Sequence, residues 1–98
     1  MSNNPLTSKI NDLEEQLRLS RLLQKDINAV INIYERELTR LKYGKIKLTA
    51  EDYADIAYYE EELAPLKERL LANFNKIIEL EYNLKSLNQS EKQFGTEG

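Results

Sequence analysis

The chain has 98 residues with no cysteine and no histidine, three glycines, two prolines, and 14 Lys+Arg against 17 Asp+Glu for a net charge of −3. This composition excludes disulfide staples, thiolate or imidazole metal sites, thiol nucleophiles and histidine proton relays, and it leaves little turn chemistry for a β fold. The mild acidity marks neither a membrane-surface binder nor a nucleic-acid mimic.

Met1-Ser2-Asn3-Asn4-Pro5 has neither the charged n-region nor the apolar h-region of a signal peptide, and Ser2 is not the glycine that myristoylation needs. The longest near-apolar run, 29–33, is broken by Asn32, far short of the roughly 20 residues a membrane span requires. The expectation is a cytoplasmic protein with no membrane contact. Residues 1–4 read as an N-terminal extension closed by Asn4, an N-cap amide, ahead of Pro5 at the first helical position.

From there apolar residues recur at Leu6, Ile10, Leu13, Leu17, Ile27, Ile31, Tyr34, Leu38 and Leu41. With Ser20 and Gln24 filling the two missing sites, they form an unbroken heptad stripe. The spacing predicts a first helix over about 5–43, ended by Gly44 in a left-handed cap, and a tip loop over 44–48. Thr49-Ala50-Glu51-Asp52 resembles a capping box with Asp52 in the acceptor position, and Leu48 and Tyr53 stand where a hydrophobic staple would. The second helix is predicted over about 49–89, with a stripe of Tyr53, Ile56, Tyr59, Leu63, Leu66, Leu70, Phe74, Ile77, Leu80, Leu84 and Leu87. Pro65 removes one backbone bond and predicts a kink or a break there. Residues 90–98 are polar and read as a flexible tail.

Folding one helix back on the other, so that paired residue numbers add to about 94, brings Ile31 to Leu63, Leu17 to Ile77, Ser20 to Phe74 and Leu41 to Tyr53. Both stripes agree in this register. The fold class is therefore all-α, a long antiparallel, coiled-coil-like helical hairpin of one domain over 5–89. Its alternatives are a three-helix bundle, if the chain breaks at Pro65, and a dimeric four-helix bundle.

More hydrophobes are present than one seam uses. Leu22, Leu23, Val30, Ile33, Leu71 and Ile78 lie off the stripes. In the register above, Leu23 and Val30 are expected to neighbour Leu71 and Ala64 in one mid-rod patch, larger than a monomer ordinarily leaves uncovered. Of the six tyrosines, Tyr34, Tyr53 and Tyr59 fall on the seam, whereas Tyr58 stands off it as a contact residue. Arg36, Arg40, Lys42, Lys45 and Lys47 gather at the tip and could track a phosphate backbone. Arg40 and Lys42 are expected to meet Asp55 and Asp52, which makes cross-hairpin ion pairing the leading account of that cluster. The acids Glu60-Glu61-Glu62 point in three directions on a helix and read as a solvated face rather than a metal site. No phosphate loop, paired acid and base, or activated nucleophile can be assembled, so no enzyme, cofactor, metal or small-molecule substrate is expected.

Pro5-Leu6 and the stretch Lys9-Ile10-Asn11-Asp12-Leu13-Glu14-Glu15-Gln16-Leu17 are similar to the first helix of the all-helical chorismate mutases. The arginine which that family carries before this Lys-Ile pair is Thr7 here, and its second falls near Gln24 and Lys25, so the catalytic set does not carry over. The cysteine-free acidic hairpin also resembles in outline the WXG100 substrates of type VII secretion. Tyr43-Gly44 takes the place of their Trp-x-Gly turn, and Tyr58 and Glu62 have the spacing of their export signal but lie within the second helix. In size and kind the chain is similar to the small accessory proteins with which phages bind host enzymes. The expected function is a non-enzymatic protein–protein interaction module, an adaptor or inhibitor of a larger protein, with self-association as a further partner and a nucleic-acid-binding tip or a WXG100-like secreted hairpin as alternatives.

Overall fold

A computed structural model describes the backbone of residues 5–96 and the side chains of 5–90. It contains two helices, α1 (Pro5–Tyr43) and α2 (Ala50–Thr96), and no strand among the described residues. This is the expected all-α helical hairpin. The Asn4 cap lies outside the described residues. α2 runs on past Ser90 to Thr96, through a polar stretch that holds no proline.

The end of α1 corrects the sequence reading. Gly44 does not take a left-handed conformation, since no residue among those described has positive φ. Its N–H donates to the Arg40 carbonyl at 2.9 Å, continuing the helical pattern by one bond. A Cβ at this position would sit inside contact distance of that same carbonyl oxygen. Glycine is required for close approach, not for an unusual dihedral angle.

The start of α2 closes as the capping box predicts. The Thr49 N–H donates to Asp52 Oδ2 at 2.9 Å, and the Asp52 N–H donates back to Thr49 Oγ1 at 3.1 Å. Lys45 Nζ donates to the other carboxylate oxygen at 2.8 Å. Asp52 is buried as a result, and Tyr53, expected both on the seam and in the staple with Leu48, is 61 % exposed.

Pro65 does not break the chain. α2 is continuous through it, so the three-helix alternative is not the fold. The reason lies in its neighbours. Pro65 and Glu61 are both exposed, so the carbonyl that loses its partner faces water, while Leu63 and Leu66 on either side are packed against α1.

Two compact units are distinguished, Met1–Leu23 with Asn73–Gly98, and Gln24–Ala72. In the first, Leu17, Ile77 and Leu80 form a buried cluster flanked by Leu13 and Leu84. The Asn73 amide nitrogen donates to the Ser20 carbonyl at 2.8 Å, and both residues are buried. In the second, Ile27, Ile31 and Leu63 are buried, with Tyr34, Leu38, Leu66 and Leu70 packed against them.

Every predicted seam position of α1 is buried or half-buried, Ser20 and Gln24 included. In α2 the stripe is corrected at two places. Phe74, expected opposite Ser20, is 49 % exposed, and Asn73 is buried there instead; Asp52 likewise replaces Tyr53. The physical reason is heptad phase. The seam 52, 56, 59, 63, 66, 70, 73, 77, 80, 84, 87 alternates steps of four and three without a fault, which a stripe drawn through Phe74 cannot do. Among the described residues no helix is long and apolar enough to cross a membrane.

Candidate functional site

Three ion pairs fix the sides of the two units. Arg21 meets Glu81 at 3.6 Å in the first. Lys42 meets Glu60 at 2.5 Å and Lys67 meets Glu35 at 3.1 Å in the second. Each joins α1 to α2 one heptad position to the side of the seam, and the two pairs of the second unit share one flank.

The basic tip is wired differently from the expected Arg40–Asp55 and Lys42–Asp52 pairs. Arg40 bonds Glu37, one turn back on its own helix, within easier reach than a residue across the seam. Lys42 turns to Glu60, and Asp52 takes Lys45. The carboxylates respond accordingly. The Lys45 ammonium, then the Thr49 N–H, hold the Asp52 carboxyl down at about 2. The Arg40 guanidinium lowers Glu37, and Glu60 raises Lys42. Arg36 and Lys47 are exposed and have no ion pair among the described residues. Three of the five tip cations are thus already matched within the chain.

Three of the six tyrosines form one aromatic group. The Tyr34 and Tyr59 rings meet across the seam with centroids 5.3 Å apart, and Tyr58 stands edge-on to Tyr59 at 5.5 Å. Tyr58 is exposed. Its hydroxyl is raised above the usual tyrosine range, chiefly by the Glu62 carboxylate and then by Tyr34.

The surplus hydrophobes are all exposed: Leu22, Leu23 and Ile78 in the first unit, and Val30, Ile33, Tyr58 and Leu71 in the second. They are not gathered into the single patch expected. Within the first unit, Ile78 lies three residues before Glu81 and shares its flank, whereas Leu23 lies on the opposite side of the seam from Arg21. Within the second, Leu71 follows Lys67 by one turn on the ion-pair flank, while Val30 and Ile33 occupy the other. The expected neighbours Val30 and Ala64 are therefore on different flanks. An antiparallel pair sets like heptad positions side by side, and equal distance from the seam along each chain does not guarantee the same side. Phe74 and Leu19 join the exposed set. The faultless alternation of four and three is the signal that places Phe74 outside.

The chemistry available is that of surfaces. A depression of about 390 Å³ in the first unit has Leu17 and Leu84 in its lining and the Arg21–Glu81 pair at its side. No group of three acids among the described residues is arranged to hold a metal ion. Comparison with family models, curated proteins and solved structures finds no match to this chain.

Proposed function

We propose that the protein is a non-enzymatic helical binding module that acts by burying its exposed apolar faces against a larger protein, as an adaptor or an inhibitor, in the manner of small phage accessory proteins. One observation carries this reading. Among the described residues thirteen large hydrophobic side chains are exposed, against eight hydrophobic residues in the core. Each forgoes roughly 1.5–3 kcal/mol of burial when fully uncovered, and a share of that in proportion to its exposure, which runs from 37 % at Val30 to complete at Ile46. Their spread over both flanks suits a module that a partner grips from more than one side. The tip is the weaker candidate for nucleic acid, because three of its five cations already have carboxylate partners.

The test is affinity capture from extracts of the native cells, comparing the wild-type chain with Leu23→Glu/Leu71→Glu. Both positions are exposed, so circular dichroism should be unchanged. The reading expects a protein retained by the wild type and lost by the variant. Equal capture by both chains, or retention of nucleic acid that falls away when Lys45 and Lys47 become Glu, overturns it.

A further inference from the structure

We propose that the flank of the second unit built from Val30, Ile33, Tyr58, Glu51, Asp55 and Glu62 is a docking face for a cationic amphipathic helix of another protein. This deepens the binding-module reading and rests on it. On α2, positions 51, 55, 58 and 62 follow steps of four, three and four, so their side chains share one face. On α1, positions 30, 33 and 37 do the same. Both rows lie on the side of the seam away from the Lys42–Glu60 and Lys67–Glu35 pairs. Tyr58, edge-on to Tyr59, which in turn meets Tyr34, ties the two rows together.

The face has an apolar centre and an acidic rim. Val30, Ile33 and Tyr58 are exposed at 37 %, 60 % and 54 %. Glu51, Asp55 and Glu62 have no ion-pair partner among the described residues, and no basic residue occurs in α2 before Lys67. Glu37 is bonded to Arg40 on the same flank, and Arg69, one heptad beyond Glu62, is the remaining cation there. Carboxylates therefore outnumber guanidiniums around an aromatic and aliphatic centre.

Charge decides the occupant. A second copy docked through a two-fold axis would set this face, with its excess of carboxylates, on itself. A lysine- or arginine-bearing helix would place its cations on the rim and over the Tyr58 ring, with its apolar side against Val30 and Ile33.

The experiment uses the full chain and two fluorescent peptides, an amphipathic leucine–lysine helix and its leucine–glutamate counterpart with identical apolar positions. Binding is read by anisotropy and located by amide NMR shifts. The lysine peptide is expected to bind at least about tenfold tighter, to shift residues 30–37 and 51–62, and to lose about tenfold in affinity in Asp55→Asn/Glu62→Gln. Leu22→Ser/Ile78→Ser, on other surfaces, is expected to bind as the wild type does. Equal affinity for the two peptides, no binding of either, or shifts centred on Leu22 and Ile78 overturns this docking face. So does a dimer dissolved by Ile33→Glu. Should a variant fail to fold, the peptide comparison and the shift map on the wild type still decide. The capture experiment above is independent, so a partner lost on Leu23→Glu/Leu71→Glu with no preference for the lysine peptide leaves the binding module standing without this face.

Discussion

The exchange of Phe74 for Asn73 in the seam can be read directly from stability. Phe74 is 49 % exposed, so Phe74→Ala gives up about half the burial of a phenylalanine, about 1–1.5 kcal/mol. A phenylalanine inside the core would cost about 3–5 kcal/mol on the same truncation. Ile77, three residues on, is 8 % exposed, and Ile77→Ala is expected to cost about 2–5 kcal/mol. Asn73→Ala removes the 2.8 Å bond to the Ser20 carbonyl. That carbonyl keeps its own acceptor role within α1, so losing this bond and a few packing atoms is expected to cost about 1–2 kcal/mol. The assay is urea unfolding followed by far-ultraviolet circular dichroism. The expected order of cost is Ile77→Ala above the other two. A loss of 3 kcal/mol or more on Phe74→Ala, equal to that of Ile77→Ala, would refute the heptad phase described here.

Three further outcomes follow from the local structure. Gly44→Ala drives a methyl group against the Arg40 carbonyl and is expected to lower stability by about 1–3 kcal/mol, seen as a lower urea midpoint; a neutral result would mean the turn relaxes freely. Pro65→Ala restores a backbone bond at an exposed helical position and is expected to stabilise by up to about 3 kcal/mol, with a destabilised variant contradicting the account. Asp52 has a folded-state pKa of about 2 against an ordinary 3.8, so the unfolded chain binds more protons between those values and stability rises with pH there. The advantage of the wild type over Asp52→Asn should be complete above about pH 5 and fade as the pH falls toward 2; an advantage that persists at pH 2 would place its origin outside the carboxylate.

The first helix was legible residue by residue, because its hydrophobes repeat with only two gaps and a helix of constant phase leaves no choice about what fills them. Ser20 and Gln24 were placed in the seam by arithmetic alone. In the second helix hydrophobicity and phase compete. Phe74 and Tyr53 are larger and more apolar than Asn73 and Asp52, yet the seam keeps its alternation and turns them outward. Asn73 finds a carbonyl to bond and Asp52 a lysine and a cap, which makes their burial tolerable. Neither bond is visible until the two helices are paired. The sides of the hairpin were harder still. Positions that add to a constant lie at one height, as Val30 and Ala64 do, but only the heptad letter says on which flank. The ion pairs of Lys42 and Lys67 settle that point.

The mass in solution, by light scattering on a sizing column over a wide concentration range, tests the central claim most directly. If the exposed apolar faces await a different protein, the chain should run at its single-chain mass of 11.5 kDa and remain there as the concentration rises. A dimer that persists on dilution, and that Leu23→Glu/Leu71→Glu reduces to single chains, would show those faces to be the core of a homodimer and contradict the account.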